Sequence, residues 1–581
     1  MNERGTNMKG LLQFLRPYRL KVLLGMATKL LEAILELILP LLMAQIIDIG
    51  IYNHDTEFVV KMVILMFITI LTGLGCALLC QHYAAVAAQG MGKALRDDLM
   101  KRIQFLSPKQ FDQVGSAAFM NRITGDVNQV INAVNMFIRL VSRAPFLCAG
   151  ALVMSFWINP AISVLFAVFI PLFALILFAI SHYTVPLYQK AQSTLDNLGL
   201  RLQENLSGVR VIRAFTKQKQ QEKKLFETAD TLAKRTILVA NLSALLNPVT
   251  NAILSMGIIL ILYIGSYQVN AGKLPQGDLV ALIHYMTQIL LALTIIANLV
   301  VLFTKAAASA RRIEEIRNLA SPSTGAENGI KQSNDIETVL DVENVSFSFG
   351  GENTIEGISF HLSKGMIMGI IGTTGSGKST LANLIPRLYQ PQEGVIRFCG
   401  ENISDWNLAA LRAQISMAPQ QTRLFSGSVR QNLIFAKQDA SDEEMIQALR
   451  DANAWEFVQE LPGQLDAPIF EGGKNLSGGQ KQRLTIARTL LRPAKLYLFD
   501  DTFSALDSVT AAQIQNTLSD SYRHAAILFI SQRLSSLAAA DIILVLDEGK
   551  LAGIGTRAQL LQSCPVYRHL YNTQRNGEML S

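Results

Sequence analysis

A glycine-rich segment at residues 372–379, here called the P-loop, holds a lysine and a hydroxyl at the spacing that phosphate binding requires. Its sequence, GTTGSGKS, fits the pattern G-x-x-x-x-G-K-[ST]. Glycines let the backbone curl so that its N–H groups point at phosphate oxygens, and the N-terminus of a following helix adds positive potential. Lys378 would then reach the β- and γ-phosphates while Ser379 holds Mg²⁺. The residues predicted to surround the phosphates are Gly372, Thr373, Thr374, Gly375, Ser376, Gly377, Lys378, Ser379 and Thr380.

The sequence around the P-loop contains the strand and the helix that would position it. Residues 366–371 form a short apolar run that is typical of a buried strand, and the residues from Ser379 onward can begin a helix. Further along the chain, a second apolar run ends at Asp500, where a carboxylate would help to hold Mg²⁺. A glycine-rich turn without a ligand is the alternative, and the second run makes it the weaker interpretation. We therefore predict ATP and Mg²⁺ as cofactors.

The N-terminal part of the chain is too apolar for an ordinary soluble domain. Of the 581 residues, 50% are hydrophobic and only 17% are charged, and the charged residues leave four long gaps. Each gap can span a bilayer core of roughly 30 Å; the longest can do so twice by turning at Asn159 and Pro160. With a further apolar stretch from about 22 to 47, six membrane helices are predicted before residue 320. The gaps separate Lys61 from Lys93, Arg143 from Lys190, Arg235 from Lys273, and Asp278 from Lys305.

The loops between these helices differ in length and charge, and this difference predicts the orientation. Residues 93–143 and 190–235 are long, rich in Lys and Arg, and periodic enough to form helices that continue beyond the membrane. The positive-inside rule places these loops, the N-terminus and the nucleotide-binding part on the cytoplasmic side of a plasma membrane. The net charge of +7 is mostly this bias, so a nucleic-acid surface is the minor alternative and no nucleic-acid partner is predicted.

The composition changes after residue 318, and this change divides the chain. Residues 1–318 are predicted to form an all-α transmembrane domain of six helices, and residues 319–337 a polar linker rich in Ser, Pro and Gly. Residues 338–576 are predicted to form an α/β nucleotide-binding domain, with 577–581 as a tail. The predicted fold class is therefore multi-domain, with a six-helix membrane domain followed by an α/β P-loop domain.

One pentapeptide identifies the family that the chain resembles. The string LSGGQ at residues 476–480 opens a helical run shortly before the apolar run that ends at Asp500. With membrane domain, linker and nucleotide-binding domain in this order, nearly the whole chain resembles an ATP-binding-cassette (ABC) exporter half-transporter. In that family the pentapeptide, called the signature, caps the γ-phosphate on the partner's P-loop, which implies a dimer with two composite ATP sites. The signature residues here are Leu476, Ser477, Gly478, Gly479 and Gln480.

The resemblance also implies roles for residues outside these two segments. Phe349 stands where the family has an aromatic residue, commonly Tyr, that stacks on adenine, and Phe keeps the π face. Gln420 stands where a glutamine senses Mg²⁺ and faces the membrane domain, so it joins Ser379 and Asp500 as an expected metal ligand. The segment 208–215 resembles the short helix by which a long cytoplasmic loop of the membrane domain docks onto a nucleotide-binding domain (a cassette), near Gln420.

Two positions depart from the family pattern, and both concern hydrolysis. The catalytic carboxylate of the family is usually Glu, and it is Asp501 in this chain. The family also has a histidine, followed by Arg-Leu, that contacts the γ-phosphate, and Gln532 stands at that position here. Aspartate is one methylene shorter, and a misplacement of roughly 1 Å can cost about 10²-fold in rate. Glutamine can donate a hydrogen bond but cannot carry a proton or a charge. We expect this chain's own ATP site to be slow; neutral drift with a fast site is the alternative.

An intact signature beside a degenerate site predicts a heterodimer. The signature serves the partner's nucleotide, so a second half-transporter with a complete catalytic set would form one competent site with it. The chain resembles the degenerate subunit of bacterial heterodimeric multidrug exporters, which implies ATP-driven export of amphipathic or drug-like molecules across the bacterial plasma membrane. The expected partners besides the second subunit are a small amphipathic substrate and membrane lipid. The alternatives are a lipid or lipopeptide flippase with the same nucleotide-binding domains, and an ATP-gated channel or regulatory subunit.

Ionisable side chains in the predicted membrane helices leave two interpretations open. Glu32 and Glu36 lie one turn apart on the first helix, and Arg139 and Arg143 lie one turn apart near the third. Placing a charged side chain in the hydrocarbon core of a membrane costs free energy. These side chains are therefore expected either to line a cavity or gate, or to form ion pairs between helices. The large side chains of the sixth helix that could line a cavity, or instead pack, are Tyr285, Met286 and Phe303.

Overall fold

The computed structural model describes residues 10–319, 337–351 and 353–579, and the chain divides into two compact units. The first unit contains Met1–Gln104 and Val114–Leu319, and the second contains Phe105–Gln113 and Ala320–Ser581. Residues 105–113 thus pack with the second unit although they lie within a loop of the first. The predicted linker, 319–337, lies outside the described residues except at its two ends.

The first unit is helical, and its helices match the hydropathy of the sequence. Within the described residues, six helical stretches are long and apolar enough to cross a membrane, which confirms the predicted number. The turn at Asn159 is also confirmed, because its side chain accepts a hydrogen bond from the Ile162 N–H and Pro160 begins the next helix. The six stretches are Gly10–Ile51, Thr56–Gln104, Ser116–Ile158, Pro160–Ser207, Gln218–Asn270 and Gln276–Ile296.

Several helices of this unit are much longer than a membrane is thick, as the periodicity of the long loops predicts. The helix Thr56–Gln104 has 49 residues, which corresponds to about 70 Å. The α-helices are α1 Arg19–Gln45, α2 Thr56–Gln104, α3 Pro108–Val114 (in the second unit except for its last residue), α4 Ser116–Asn121, α5 Val127–Met136, α6 Arg143–Ile158, α7 Pro160–Ser207, α8 Val209–Ala214, α9 Gln218–Ala244, α10 Leu246–Asn270 and α11 Gln276–Arg317. A 3₁₀ turn at Gln13–Tyr18 and π-helical turns at Ile46–Ile51, Arg122–Asp126 and Phe137–Val141 complete the unit.

Ion pairs account for three of the four ionisable side chains singled out in the membrane helices, namely Glu32, Glu36 and Arg143. The Arg143 guanidinium donates to both carboxylate oxygens of Glu36, at 2.7 and 3.0 Å, and thereby joins α1 to α6. On α1 itself, the Lys29 ammonium lies 2.8 Å from the Glu32 carboxylate. Because a paired charge costs far less at membrane depth than an isolated one, these contacts favour the structural interpretation.

The large side chains of α11 that were candidates for a cavity mostly serve packing. Tyr285 and Met286 are fully buried, and the Tyr285 hydroxyl donates to the Leu37 carbonyl at 2.7 Å. The Phe303 ring lies 6.3 Å from the Phe137 ring in an edge-to-face contact.

The second unit is an α/β domain, and its described residues form three sheets. The strands are β1 Thr338–Phe347, β2 Ile355–Ser363, β3 Ile367–Gly372, β4 Glu393–Phe398, β5 Glu401–Asn402, β6 Ile415–Ala418, β7 Gly427–Ser428, β8 Pro468–Ile469, β9 Leu496–Asp500, β10 Ala526–Ser531, β11 Ile542–Asp547 and β12 Lys550–Gly555. A six-stranded sheet has the order β12-β11-β3-β10-β9-β6, a four-stranded antiparallel sheet has the order β2-β1-β4-β5, and β7 pairs with β8. The helices are α12 Lys378–Leu384, α13 Leu408–Ala413, α14 Val429–Ile434, α15 Asp442–Asp451, α16 Trp455–Glu460, α17 Gly478–Leu490, α18 Ser508–Ser521, α19 Arg557–Ser563 and α20 Pro565–Met579.

Three neighbouring parallel strands bring distant segments of the chain to one edge. β3, β9 and β10 are buried along their whole length, which explains their continuous apolar sequences. β10 lies between the other two, with Ser531 opposite Ile371 and Ile530 opposite Asp500. Ligands of open α/β sheets bind outside the carboxyl ends of such strands. The segments that follow these three strands therefore form the candidate site.

Candidate functional site

The P-loop connects β3 to α12 and is held in shape by its own lysine. Gly377 has a φ of +90°, and a Cβ there would lie 2.4 Å from a methyl group of Ile355, so only glycine fits. The buried Lys378 ammonium donates to the Gly372 and Thr373 carbonyls, at 2.9 and 2.6 Å. The loop thus has the curled form that aims backbone N–H groups at an anion.

Two oxygen groups meet where a magnesium ion is expected. The Ser379 hydroxyl donates to the Asp500 carboxylate at 3.0 Å, which joins the start of α12 to the end of β9. Burial raises the pKa of Asp500 to about 6, and the negative charge of Asp501 adds to this effect. A hydroxyl and a carboxylate are ligands that suit Mg²⁺, and a bound cation would restore the ionised carboxylate. Ser379 and Asp500 therefore fit the ion, which would supply positive charge beside the phosphates when bound.

Asp501 and Gln532 lie close to the P-loop and are linked to one another through Ser531. The Ser531 hydroxyl donates to Asp501 at 3.4 Å, and the Thr374 hydroxyl donates to the Gln532 side-chain oxygen at 3.2 Å. Asp501 has a φ of +49°, a conformation that aspartate tolerates better than most residues. Burial raises the pKa of its carboxyl. The sequence predicts roles for Asp501 and Gln532, but it gives no signal for Ser531, which connects them.

The expected adenine platform belongs to an aromatic cluster. Phe349 follows β1 and is 51% exposed, so part of its ring is free to stack on a base. Its ring centroid lies 4.9 Å from that of Phe347 and 5.3 Å from that of Tyr389. The Tyr389 hydroxyl in turn lies 3.5 Å from the carboxylate of Asp112 in α3. Sequence reasoning singled out neither Tyr389 nor Asp112, because nothing in their spacing links them.

The signature forms the N-terminal end of α17. The Ser477 side chain accepts from the Gln480 N–H, and the Gln480 side chain accepts from the Ser477 N–H, so the two residues form a capping box. The buried Gln482 of the same helix accepts from the Ala505 N–H at 3.1 Å. Among the described residues, no hydrogen bond joins the signature to the P-loop of this chain.

Two residues singled out from the sequence, Gln420 and Phe215, are exposed. Gln420 follows β6 and is exposed, and within the described ranges it forms no hydrogen bond with Ser379 or Asp500. Phe215 follows α8 in the first unit and is 72% exposed.

The comparisons with known proteins agree on a family. The family model for the ABC transporter transmembrane region matches residues 22–293, and the family model described as ABC transporter matches residues 355–504. The uncharacterized ABC transporter ATP-binding protein YfiB of Bacillus subtilis is 35% identical over 574 residues, which are 98% of this chain and 99% of that protein. The chain therefore belongs to the ABC transporter family, is a multi-pass membrane protein, and has the ATP-hydrolysing domain of that family.

Further similarities concern the exporter type. The ATP-dependent lipid A-core flippase of Mannheimia succiniciproducens is 27% identical over 568 residues, which are 97% of this chain and 96% of that protein. A solved bacterial Atm1-family ABC exporter with ATP bound matches with a TM-score of 0.80 at 24% identity, covering 97% of this chain and 99% of that one. The predicted fold class is thereby confirmed: an exporter-type six-helix membrane domain precedes the nucleotide-binding domain.

Proposed function

We propose that this chain is one subunit of a heterodimeric ABC exporter, with a slow ATP site of its own and a signature that completes a faster site on its partner. The main support is that the two departures from the family pattern are neighbours in space: Gln532 contacts Thr374 of the P-loop, and Asp501 contacts Ser531, the residue next to Gln532. Two changes at one chemical step affect hydrolysis together, while the residues expected to bind ATP are complete.

The expected chemistry at this site is binding without rapid turnover. Lys378 supplies positive charge to the phosphates, and Ser379 and Asp500 would hold the metal. The Gln532 oxygen is taken by Thr374, which leaves its amide N–H groups to donate to a phosphate. No group on Gln532 can accept a proton, and the Asp501 carboxylate ends one methylene short of a glutamate. The site would therefore act mainly as a clamp that keeps the two cassettes together.

A cavity in the first unit fits an amphipathic substrate. Its volume is about 1200 Å³, larger than the roughly 300–1,000 Å³ of drug-sized sites. Leu177, Phe178 and Ile296 form part of its apolar lining, whereas Gln192 and Lys305 add polar and charged groups. Export driven by ATP would expose this cavity alternately to the two sides of a plasma membrane, with the nucleotide-binding domain in the cytoplasm.

Lipid flipping is the second candidate, since the same cavity has an apolar and a charged region. The Lys305 ammonium lies 4.9 Å from the centre of the Tyr188 ring and offers a positive group for a lipid headgroup. Relatives at 27% identity include lipid A-core flippases. Sealed vesicles that contain the protein, a fluorescent lipid and a fluorescent amphipathic drug distinguish the two candidates by which molecule moves. An ATP-gated channel or regulatory subunit would move neither against a gradient.

The heterodimer is tested by ATP turnover of the chain alone and with a partner. The partner is a half-transporter with Glu and His at the positions that correspond to Asp501 and Gln532. We expect the pair to hydrolyse ATP at least about tenfold faster than the chain alone, because only the pair contains a complete catalytic set. Phosphate release in lipid nanodiscs measures this. Equal turnover by the two preparations would contradict the proposal.

The exposed Phe215 is expected to couple the membrane domain to a cassette. Phe215→Ala should leave basal ATP turnover intact and reduce its stimulation by substrate by roughly 3- to 10-fold. The reason is that an exposed aromatic ring at the end of a short helix is suited to insertion into an apolar groove. Phe226→Ala, at a phenylalanine of α9 that is 66% exposed, is the matched control. Unchanged stimulation in Phe215→Ala would exclude this docking role.

A further inference from the structure

One side chain of the C-terminal helix holds the loop that contains Gln532. The Gln574 amide nitrogen of α20 donates to the Gln532 carbonyl at 2.7 Å, and the Gln574 amide oxygen accepts from the Leu534 N–H at 2.9 Å. One planar amide thus makes two hydrogen bonds to the backbone of residues 532 and 534. Two hydrogen bonds from one side chain fix both the position and the orientation of the loop, as the paired hydrogen bonds between two β-strands do.

The loop held in this way connects the hydrolytic residues. On one side Ser531 contacts Asp501, and its hydroxyl also accepts from the Arg533 N–H at 3.0 Å. On another side the Gln532 side chain meets Thr374 of the P-loop. Gln574 provides a third attachment, from an element that the predicted catalytic set does not include.

The helix that bears Gln574 is itself anchored. Tyr567 of α20 is fully buried, and the Arg557 guanidinium lies 5.3 Å from the centre of the Tyr571 ring. Arg568 donates to the Leu561 and Gln562 carbonyls. These contacts hold α20 against α19 and the core of the domain as far as Tyr571, three residues before Gln574.

We infer that Gln574 is a positioning residue for ATP hydrolysis, which keeps Gln532 at the P-loop and Ser531 at Asp501. The inference rests on the proposed role of Gln532 at the phosphates. Gln574 acts through the backbone of the loop, so it should influence the rate of hydrolysis and have little influence on the binding of ATP.

Hydrogen exchange of the full-length chain in nanodiscs tests the contact without any need for activity. Gln574→Ala should speed exchange of the backbone amides at 531–534 by roughly tenfold, because the Leu534 N–H loses its acceptor. Gln574→Glu keeps that acceptor and loses the donor to the Gln532 carbonyl, so Leu534 should stay protected. Asn572→Ala, at an exposed residue of the same helix, is the control and should match the unmodified chain.

Turnover of the chain alone tests the function, since both composite sites then contain its own Asp501 and Gln532. Gln574→Ala and Gln574→Glu should each lower kcat by roughly 3- to 10-fold with the KM for ATP within about twofold. In a Gln532→Ala background, Gln574→Ala should lower kcat by a smaller factor, because only the placement of Ser531 at Asp501 remains to be lost, and it should still speed exchange.

The possible contrary results separate the inference from the proposed function. Normal exchange in Gln574→Ala, or an undiminished effect on kcat in the Gln532→Ala background, overturns the positioning role alone. If Gln532→Ala leaves turnover unchanged, the proposed role of Gln532 fails and the positioning role fails with it.

Discussion

Ser477→Ala in the signature should reduce ATP turnover of the heterodimer by roughly 10²-fold, whereas Lys378→Ala in the P-loop should reduce it by only about 5- to 10-fold. The serine hydroxyl acts on the nucleotide at the partner's P-loop, which is the competent site of the proposed pair. In the proposed pair the lysine belongs to the slow site, so its loss would act indirectly, by weakening the association of the two nucleotide-binding domains and the coupling between the two sites.

The Ser477 variant needs a control for the stability of its helix. Ser477 caps α17, and loss of a cap costs about 1 kcal/mol wherever it occurs. Ser441 forms the same capping box with Glu444 at the start of α15. Ser441→Ala therefore removes a matched cap outside the candidate site and should leave turnover within about twofold. The measurement is phosphate release together with nucleotide trapped per site; equal losses in Ser477→Ala and Lys378→Ala would contradict the asymmetric pair.

The sequence was sufficient for the parts of the site that depend on local spacing. The P-loop, the signature and the carboxylate after β9 are each defined by residues that are neighbours in the chain. The edge that brings the P-loop and the carboxylate of Asp500 together follows from short buried strands, whose apolar runs are visible in the sequence. Six membrane helices follow from hydropathy in the same way.

Contacts between distant positions could not be read from spacing. Gln574 lies 42 residues from Gln532, and Tyr389 lies 277 residues from Asp112, so no periodicity relates the members of either pair. Nothing in the sequence specifies which residues of the long loop 93–143 pack with the second unit, and residues 105–113 do so. The role of the charged side chains in the membrane helices could not be decided from the sequence for the same reason, since the pairing of Glu36 with Arg143 depends on how the helices pack.

The second large effect is expected from restoring the family residues at both altered positions. Asp501→Glu combined with Gln532→His should raise ATP turnover of the chain alone by about 10²-fold, if geometry and proton transfer limit the rate. The glutamate carboxylate extends one methylene further toward the nucleotide, and the histidine can accept and release a proton near neutral pH.

The two restoring changes are not expected to act independently. Ser531 contacts Asp501 and lies next to Gln532, so a shift at one position moves the other, and each single variant should give less than half of the combined free-energy gain. Asp501→Asn combined with Gln532→His is the matched control, because it keeps the length of aspartate and removes the negative charge, and it should not increase turnover. The test is the rate of phosphate release by the chain alone in nanodiscs with MgATP. No increase in the doubly restored variant would mean that the slow step lies elsewhere, and Asp501 would then be a conservative replacement without consequence for asymmetry.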